Sequence, residues 1–459
     1  MTGLGVRAQP FLLAARLLRP PRMIAPPNGG YNQDMNQAST AAGVVSYEEA
    51  RRLVCQEAGR LQAAVIARGT PGCEPLELLD AHGRVLAEEI RADRPFPPFP
   101  RATRDGYAVR SGDVATLPAK LTVIAEIKAG QAMPDSQGAL RPGQAAAIMT
   151  GAPVPAGADA VVMVEYTSVD AQQVEVRGGV APGENVVPAG SEAGEEDVLL
   201  APGVRLAYPQ VALAAAAGKA RVTVYRRPRI AILSTGDEVV EIDQRPGPYQ
   251  IRNSNSYSLA AQIRSAGGVP WQLDIAPDEP ARLTRLIKQG LEADLLVLSG
   301  GVSMGKYDLA EQILAKFNAE FFFTGAEIQP GRPVVFGHAT SWGGKKTCFL
   351  GLPGNPVSTM VTFELFGRPL VDGLSGARPA ALNFPMARLQ KGIKVARGLT
   401  RFLPAYLEGG YPDARVTLVP WRGSGDVVAL AQANCFLVVA PDREEMQAGE
   451  MAPVMLRNS

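Results

Sequence analysis

After Ser46, apolar residues recur near helical period at Ala50, Leu53, Val54, Leu61, Ala64 and Val65, and Pro71-Gly72 closes the run. Ser46 and Glu49 stand at capping-box spacing, so the pattern predicts a helix starting just after Ser46. The stretch Arg94-Pro95-Phe96-Pro97-Pro98-Phe99-Pro100 then forbids both a helix and a central strand, and reads as a stiff crossover between domains. From about 120 to 188 short apolar runs alternate with Gly-Pro clusters. Strands are expected at 121–124 and 160–164, within a small β-rich domain.

From 229 to 377 the pattern changes to apolar runs separated by helical periods. Strands are expected at 230–233, 271–275, 295–298 and 348–352. Helices are expected at 256–266, 282–291, 310–317 and from 357. Strands alternating with helices predict a parallel, doubly wound α/β sheet. The tail beyond 378 returns to strands at 416–419, 427–431 and 436–439, as in a small β-barrel or sandwich.

Composition changes this picture in three ways. A chain of 459 residues exceeds what one core organises, so roughly two to four domains are expected. The 46% hydrophobic and 20% charged residues make an ordinary globular balance, and the net charge of +1 gives no global attraction to nucleic acid or an acidic membrane. Any anionic ligand must therefore be held by a local site. Cys55, Cys73, Cys348 and Cys435 form no CxxC pair, which argues against zinc or a disulfide framework and for a reducing cytoplasm. His82 reads as a loop residue and His338 as a strand-end residue, leaving acid–base work to carboxylates. No apolar run approaches a membrane span. Residues 1–43 carry four arginines and no acid before Asp34, and read as a disordered or non-native extension, with a transit peptide as the alternative.

Three Gly-rich segments each follow a strand of the α/β region: Ser234-Thr235-Gly236-Asp237-Glu238, Ser299-Gly300-Gly301-Val302-Ser303-Met304-Gly305 and Pro353-Gly354-Asn355-Pro356-Val357-Ser358. In an open parallel sheet such loops converge on one crevice at the carboxyl ends of the strands. Glycines let backbone N–H groups approach an anion, helix N-termini add positive partial charge, and Ser234, Thr235, Ser303 and Ser358 add hydroxyls. A phosphorylated or nucleotide-like ligand fits. Asp237, Glu238 and Asp308 beside it suggest a hard cation such as Mg2+ bridging carboxylate and phosphate. No segment matches GxxxxGK[ST] or GxGxxG, which disfavours a P-loop or a Rossmann dinucleotide site.

These three loops, with Arg104-Asp105-Gly106-Tyr107-Ala108-Val109 and Met149-Thr150-Gly151-Ala152-Pro153-Val154-Pro155, resemble the molybdopterin molybdenumtransferase family, which includes MoeA and the E domain of gephyrin. The likeness runs from about Ser46 to the C-terminus. It implies a multidomain α/β and β fold: an elongated linker domain in two segments (44–91 and 189–228), an inserted β-rich domain (92–188), a three-layer molybdopterin-binding α/β domain with a parallel-type sheet (229–377) and a C-terminal β-barrel (378–459). It implies a transferase that inserts molybdate into adenylated molybdopterin with release of AMP, Mg2+-dependent and cytoplasmic. The active site would be shared between the subunits of a homodimer. The molybdopterin adenylyltransferase and recipient molybdoenzymes are its implied protein partners.

Carried over by motif, the catalytic residues are Asp105, Thr150, Glu192, Glu238, Asp278 and Asp308, and the metal residues Asp237, Glu238 and Asp308. Substrate contacts fall on Ser234, Thr235, Gly236, Asp237, Ser254, Gly300, Gly301, Ser303, Gly331, Arg332, Pro353, Gly354, Asn355, Pro356 and Ser358. The chain departs from the family at Glu192, where Gly-x-Asp is usual, and at Gln329-Pro330-Gly331-Arg332, where Lys-Pro-Gly-Lys is frequent. Asp278 also suits a helix N-cap, Asp105 a turn and Thr150 a turn cap. A single-domain adenylyltransferase would lack about 300 of these residues and would carry Thr where Val302 stands. A gephyrin-like scaffold would need a long linker that the chain does not show.

Overall fold

The computed structural model describes residues 43–134, 138–301, 309–379 and 381–457. The segment 1–42, together with Ser303 and Asp308, lies outside the described residues.

The α/β region is built on a six-stranded sheet in the order Val269–Gln272, Arg229–Ser234, Leu295–Ser299, Lys346–Leu352, Val335–Thr340, Glu320–Phe323. The first four strands are parallel. Their near-continuous apolar runs follow from burial on both faces. Ile230, Ile232, Leu295 and Val297 enter one core, and Ala231, Leu233, Leu296 and Leu298 the other. The helices Ser254–Ser265 and Pro356–Thr362 cover the first face, and Pro280–Gly290 and Leu309–Ala315 the second. Each fully buried Leu or Ile contributes roughly 1.5–3 kcal/mol, so this alternation settles the register.

The sheet is mixed, where the sequence pattern predicts only parallel strands. Val335–Thr340 runs antiparallel to Lys346–Leu352, and Glu320–Phe323 antiparallel to Val335–Thr340. The connection 341–345 is too short for a crossover and closes as a hairpin, with Ser341 N–H on Lys345 O at 2.8 Å. His338 consequently sits inside a strand rather than at its end. It is buried, with its ring edge on Phe322 and Nε2 3.4 Å from Glu320.

The β-rich region forms a second six-stranded sheet: Ala160–Met163, Gly106–Val109, Gln144–Ile148, Ala119–Ile127, Gln173–Val176, Thr167–Asp170. The crossover before it bridges back to later chain, where Phe96 pairs with Ala193 and Arg101–Ala102 pairs with Val186–Val187.

At the C-terminus, Thr400–Glu408, Arg415–Leu418, Met386–Leu389, Met451–Leu456 and Cys435–Val439 close into a barrel through pairing of the last strand with the first. Ile328–Gln329 adds to its edge in parallel with Thr400-Arg401, tying the barrel to the segment that carries Gly331 and Arg332. The apolar run at 427–431 is helical, Val427–Gln432, where the sequence pattern predicts a strand. Asp426 caps it by accepting Ala429 N–H at 3.0 Å, and Ala429 and Leu430 are buried against the barrel and the α/β core. Capping and one-sided burial override the β preference of Val427 and Val428.

The first helix, Tyr47–Arg68, begins where the pattern places it. Ser46 Oγ accepts Glu49 N–H at 3.1 Å, while the Glu49 carboxylate pairs with Arg52. Its buried face, Ala50, Val54 and Ala58, joins the α/β core. All four cysteines are free, and burial pushes the Cys348 thiol up to about 12 and Cys435 to about 11.

Candidate active site at the strand ends

Strands Arg229–Ser234, Leu295–Ser299 and Lys346–Leu352 end together, and the loops that follow them line a crevice of about 460 Å³. Ser234, Thr235, Gly236 and Glu238 come from the first loop, Gly300 and Gly301 from the second, and Pro353, Gly354, Asn355 and Pro356 from the third. Of the other expected residues Ser254 and Asp278 also line it, whereas Asp237 does not.

Two glycines are required by contact. At Gly301 (φ 64°) a Cβ would lie 2.7 Å from Thr235 Oγ1, and at Gly236 (φ 130°) 2.5 Å from the Glu238 carboxylate. The Glu238 side chain thus folds back over the backbone of its own loop.

Backbone pairing explains why the carboxylates meet. Thr235 bridges Ala276 in parallel, with Gly236 N–H on Ala276 O at 3.1 Å. Asp278 N–H then donates to Asp237 Oδ1 at 3.0 Å. Partial burial first, then the Asp237 and Glu238 charges, hold the Asp278 carboxyl above the usual aspartate value. Asp278 is not a helix cap. The helix Pro280–Gly290 starts from Glu279, with no side-chain cap bond.

Three further polar residues line the crevice without having been singled out in the sequence: Arg252, Asn253 and Asn255. Asn253 caps the twelve-residue helix Ser254–Ser265 through Ser256 N–H at 3.2 Å and accepts Ser234 Oγ at 2.9 Å. Asn255 Nδ2 donates to Ser299 Oγ at 2.9 Å and Gly354 O at 2.7 Å, joining the second and third loops. Thr235 Oγ1 and Asn255 Oδ1 are buried without a partner. The run Asn253-Ser254-Asn255 at the start of a helix was the available signal for the two asparagines, since such residues favour N-caps.

Gly331, Arg332 and Ser358 line an adjoining cavity of about 610 Å³ with Trp421 and Ser424; it shares Pro333, Pro353 and Asn355 with the crevice. At Gly331 (φ 109°) a Cβ would meet Thr362 Cγ2 at 2.3 Å.

Asp105, Thr150 and Glu192 are not among the residues lining the crevice of this chain. The register Gly106↔Ile148 places Asp105 and Thr150 at one end of the β-rich sheet. Thr150 donates its N–H and hydroxyl to Asp105 Oδ1 at 2.7 and 2.9 Å, which holds the Asp105 carboxyl below the usual aspartate value. Glu192 pairs with Arg101 at 3.0 Å. Among the described residues, no three His, Cys, Asp or Glu side chains stand at metal-holding spacing.

The fold and site define a multidomain protein whose mixed α/β sheet presents a Gly-rich, hydroxyl- and carboxylate-lined crevice suited to a phosphorylated ligand. Family models match most of the chain: the MoeA N-terminal region (domains I and II) over residues 45–218, a probable molybdopterin binding domain over 231–373, and the MoeA C-terminal region (domain IV) over 386–456. A molybdopterin molybdenumtransferase from Nostoc sp. is 41% identical over 310 residues, 66% of this chain and 70% of that protein. One from Bacillus subtilis is 33% identical over 393 residues, 83% and 89% of the two chains. The crystal structure of the molybdopterin biosynthesis MoeA protein from Pyrococcus horikoshii OT3 is 29% identical, with a TM-score of 0.70, covering 90% of this chain and 100% of that one. The chain belongs to the molybdopterin molybdenumtransferase family.

Proposed function

We propose that the strand-end crevice binds adenylated molybdopterin, and that the protein hydrolyses the adenylate linkage with water, releasing AMP, and inserts molybdate at the dithiolene, completing the molybdenum cofactor. The convergence of three Gly-rich loops with the N-terminus of helix Ser254–Ser265 carries this reading, in a chain whose relatives are named for that transfer.

The residues present also suit Mg2+. Burial first, then the Asp237 and Glu238 charges, raise the Asp278 carboxyl and mark a local excess of negative charge, and magnesium is commonly held by one or two carboxylates plus substrate phosphate. Asp237 and Glu238, with Asp308, would hold it, and when bound it would polarise the phosphoryl oxygens. The N-terminus of helix Ser254–Ser265 and the Ser254 hydroxyl orient the diphosphate, with Gly301 letting the chain approach it closely. Arg332 and Ser358, across the shared wall, offer donors to a second anion such as molybdate.

Asp105 and Thr150, and with them Glu192, serve the crevice of a second subunit in a homodimer, because they do not line their own. The inserted β-rich domain and the two-segment linker domain exist on this reading to present that sheet end to the partner. The enzyme works in the cytoplasm. Among the described residues no helix is long and apolar enough to cross a membrane. Purified protein given adenylated molybdopterin, Mg2+ and molybdate should release AMP and yield cofactor that activates an apo-molybdoenzyme. AMP release that ignores molybdate sinks the reading, and adenylate accumulation from ATP and molybdopterin points to an adenylyltransferase.

A further inference from the structure

The crevice is anion-binding in its backbone and acidic in its side chains, with Glu238 and Asp278 on its wall. Among the described residues that line it, a single side chain carries positive charge, Arg252. It ends the two-residue strand Ile251–Arg252, which pairs in parallel with Val239–Val240 directly after Glu238. It also immediately precedes Asn253, the cap of helix Ser254–Ser265. Guanidinium and helix N-terminus therefore stand on adjacent residues.

The Arg252 head is held from one side. Its Nε donates to Gln244 O at 3.1 Å, in the connection between the two paired strands, and among the described residues it forms no ion pair within 4.0 Å. An arginine anchored through Nε keeps its two terminal nitrogens as a planar fork, the geometry that matches two oxygens of one phosphate.

We propose that Arg252 is a phosphate-recognising residue of the crevice. It holds the phosphoryl group that leaves as a nucleoside monophosphate, while the carboxylates of the 237–278 cluster face the other part of the diphosphate. This rests on the reading of the crevice as the adenylated-substrate site, and it names a specificity determinant that the loop motifs do not contain.

The test is calorimetric binding of AMP and of adenosine to the full-length chain, as wild type, Arg252→Ala and Arg252→Lys. Arg252→Ala should weaken AMP about tenfold or more while leaving adenosine unchanged, and Arg252→Lys should fall between, keeping charge without the fork. Unchanged AMP binding in Arg252→Ala, or an equal loss for AMP and adenosine, overturns the proposal. A melting temperature equal to wild type excludes loss through unfolding, since Asn253 and its cap bond remain. Molybdate-dependent AMP release by wild type, measured in parallel, separates the two failures. Active wild type with an indifferent Arg252→Ala ends this inference alone, and inactive wild type ends the reading beneath it.

Discussion

Two carboxylates in this protein are placed in opposite ways. Asp105, at the end of the β-rich sheet, accepts an N–H and a hydroxyl from one residue, Thr150, and is held below the usual aspartate value. Asp278, at the ends of the α/β strands, loses hydration and faces Asp237 and Glu238, and is held above it. One is satisfied by its own chain. The other is in a cluster left with excess negative charge, which a proton or a cation would relieve. The preorganised acceptor and the unbalanced acidic cluster lie on two different sheets of one polypeptide.

The strongest test of that division mixes subunits. Asp105→Asn and Glu238→Gln should each lower molybdate-dependent AMP release by about 100-fold or more. If the two regions meet across a dimer, co-assembled single variants should recover about a quarter of wild-type activity, because half of randomly paired dimers carry one intact site. No recovery in verified mixed dimers would break the shared-site reading.

Backbone substitutions come next in size. Gly106→Ala puts a Cβ 1.9 Å from Val162 O inside the β-rich sheet, and should cost about 1–3 kcal/mol or prevent folding of that region. Gly236→Ala strikes the Glu238 carboxylate instead, at 2.5 Å. That side chain can swing away, leaving the strain of an alanine at φ 130°, so stability should fall less than in Gly106→Ala while ligand affinity falls with it. Equal losses of melting temperature in the two variants would contradict this contrast.

Titration separates the carboxylates by sign. Because Asp105 is depressed when folded, its stabilising contribution is present above the ordinary aspartate value and is lost as pH falls through the depressed one. Thr150→Val should therefore lower the melting temperature at neutral pH and converge with wild type in strong acid, whereas Thr150→Ser should change little. Because Asp278 is raised, the stability its protonated form contributes is present below the ordinary aspartate value and is lost as pH rises through the raised one, so the charged cluster opposes folding at neutral pH. Asp278→Asn should melt higher than wild type at neutral pH and equally in acid, though without activity. A lower melting point for Asp278→Asn at neutral pH contradicts the clustering of like charges.

The smallest expected effect is at Ser46, far in sequence from both regions. Ser46→Ala should cost about 1 kcal/mol in denaturant unfolding through the lost cap and leave AMP release unchanged.

Much of this was legible in the chain. The strand-then-glycine order at Ser234, Ser299 and Pro353 is local, and a parallel sheet must bring such loops to one edge. The first helix and its Ser46 cap follow equally from spacing. The hairpin at 341–345 and the helix at Val427–Gln432 did not, since apolar runs of that length serve strand and helix alike. Arg252 carries no motif, and its place in the crevice depends on a two-residue pairing with Val239–Val240.

The sequence by itself determined where the backbone may bend, which faces are apolar, which residues start helices, and the ordered motifs that carry the family. Those properties are set by residues within a few positions of one another. Only the tertiary structure decided that Asn255 joins Ser299 to Gly354, that Thr235 beside Ala276 brings Asp278 to Asp237, and that Asp105 meets Thr150 away from the crevice. These contacts link residues 40 or more positions apart. Their partners are selected by sheet register and by the burial of two cores at once, which no local pattern encodes.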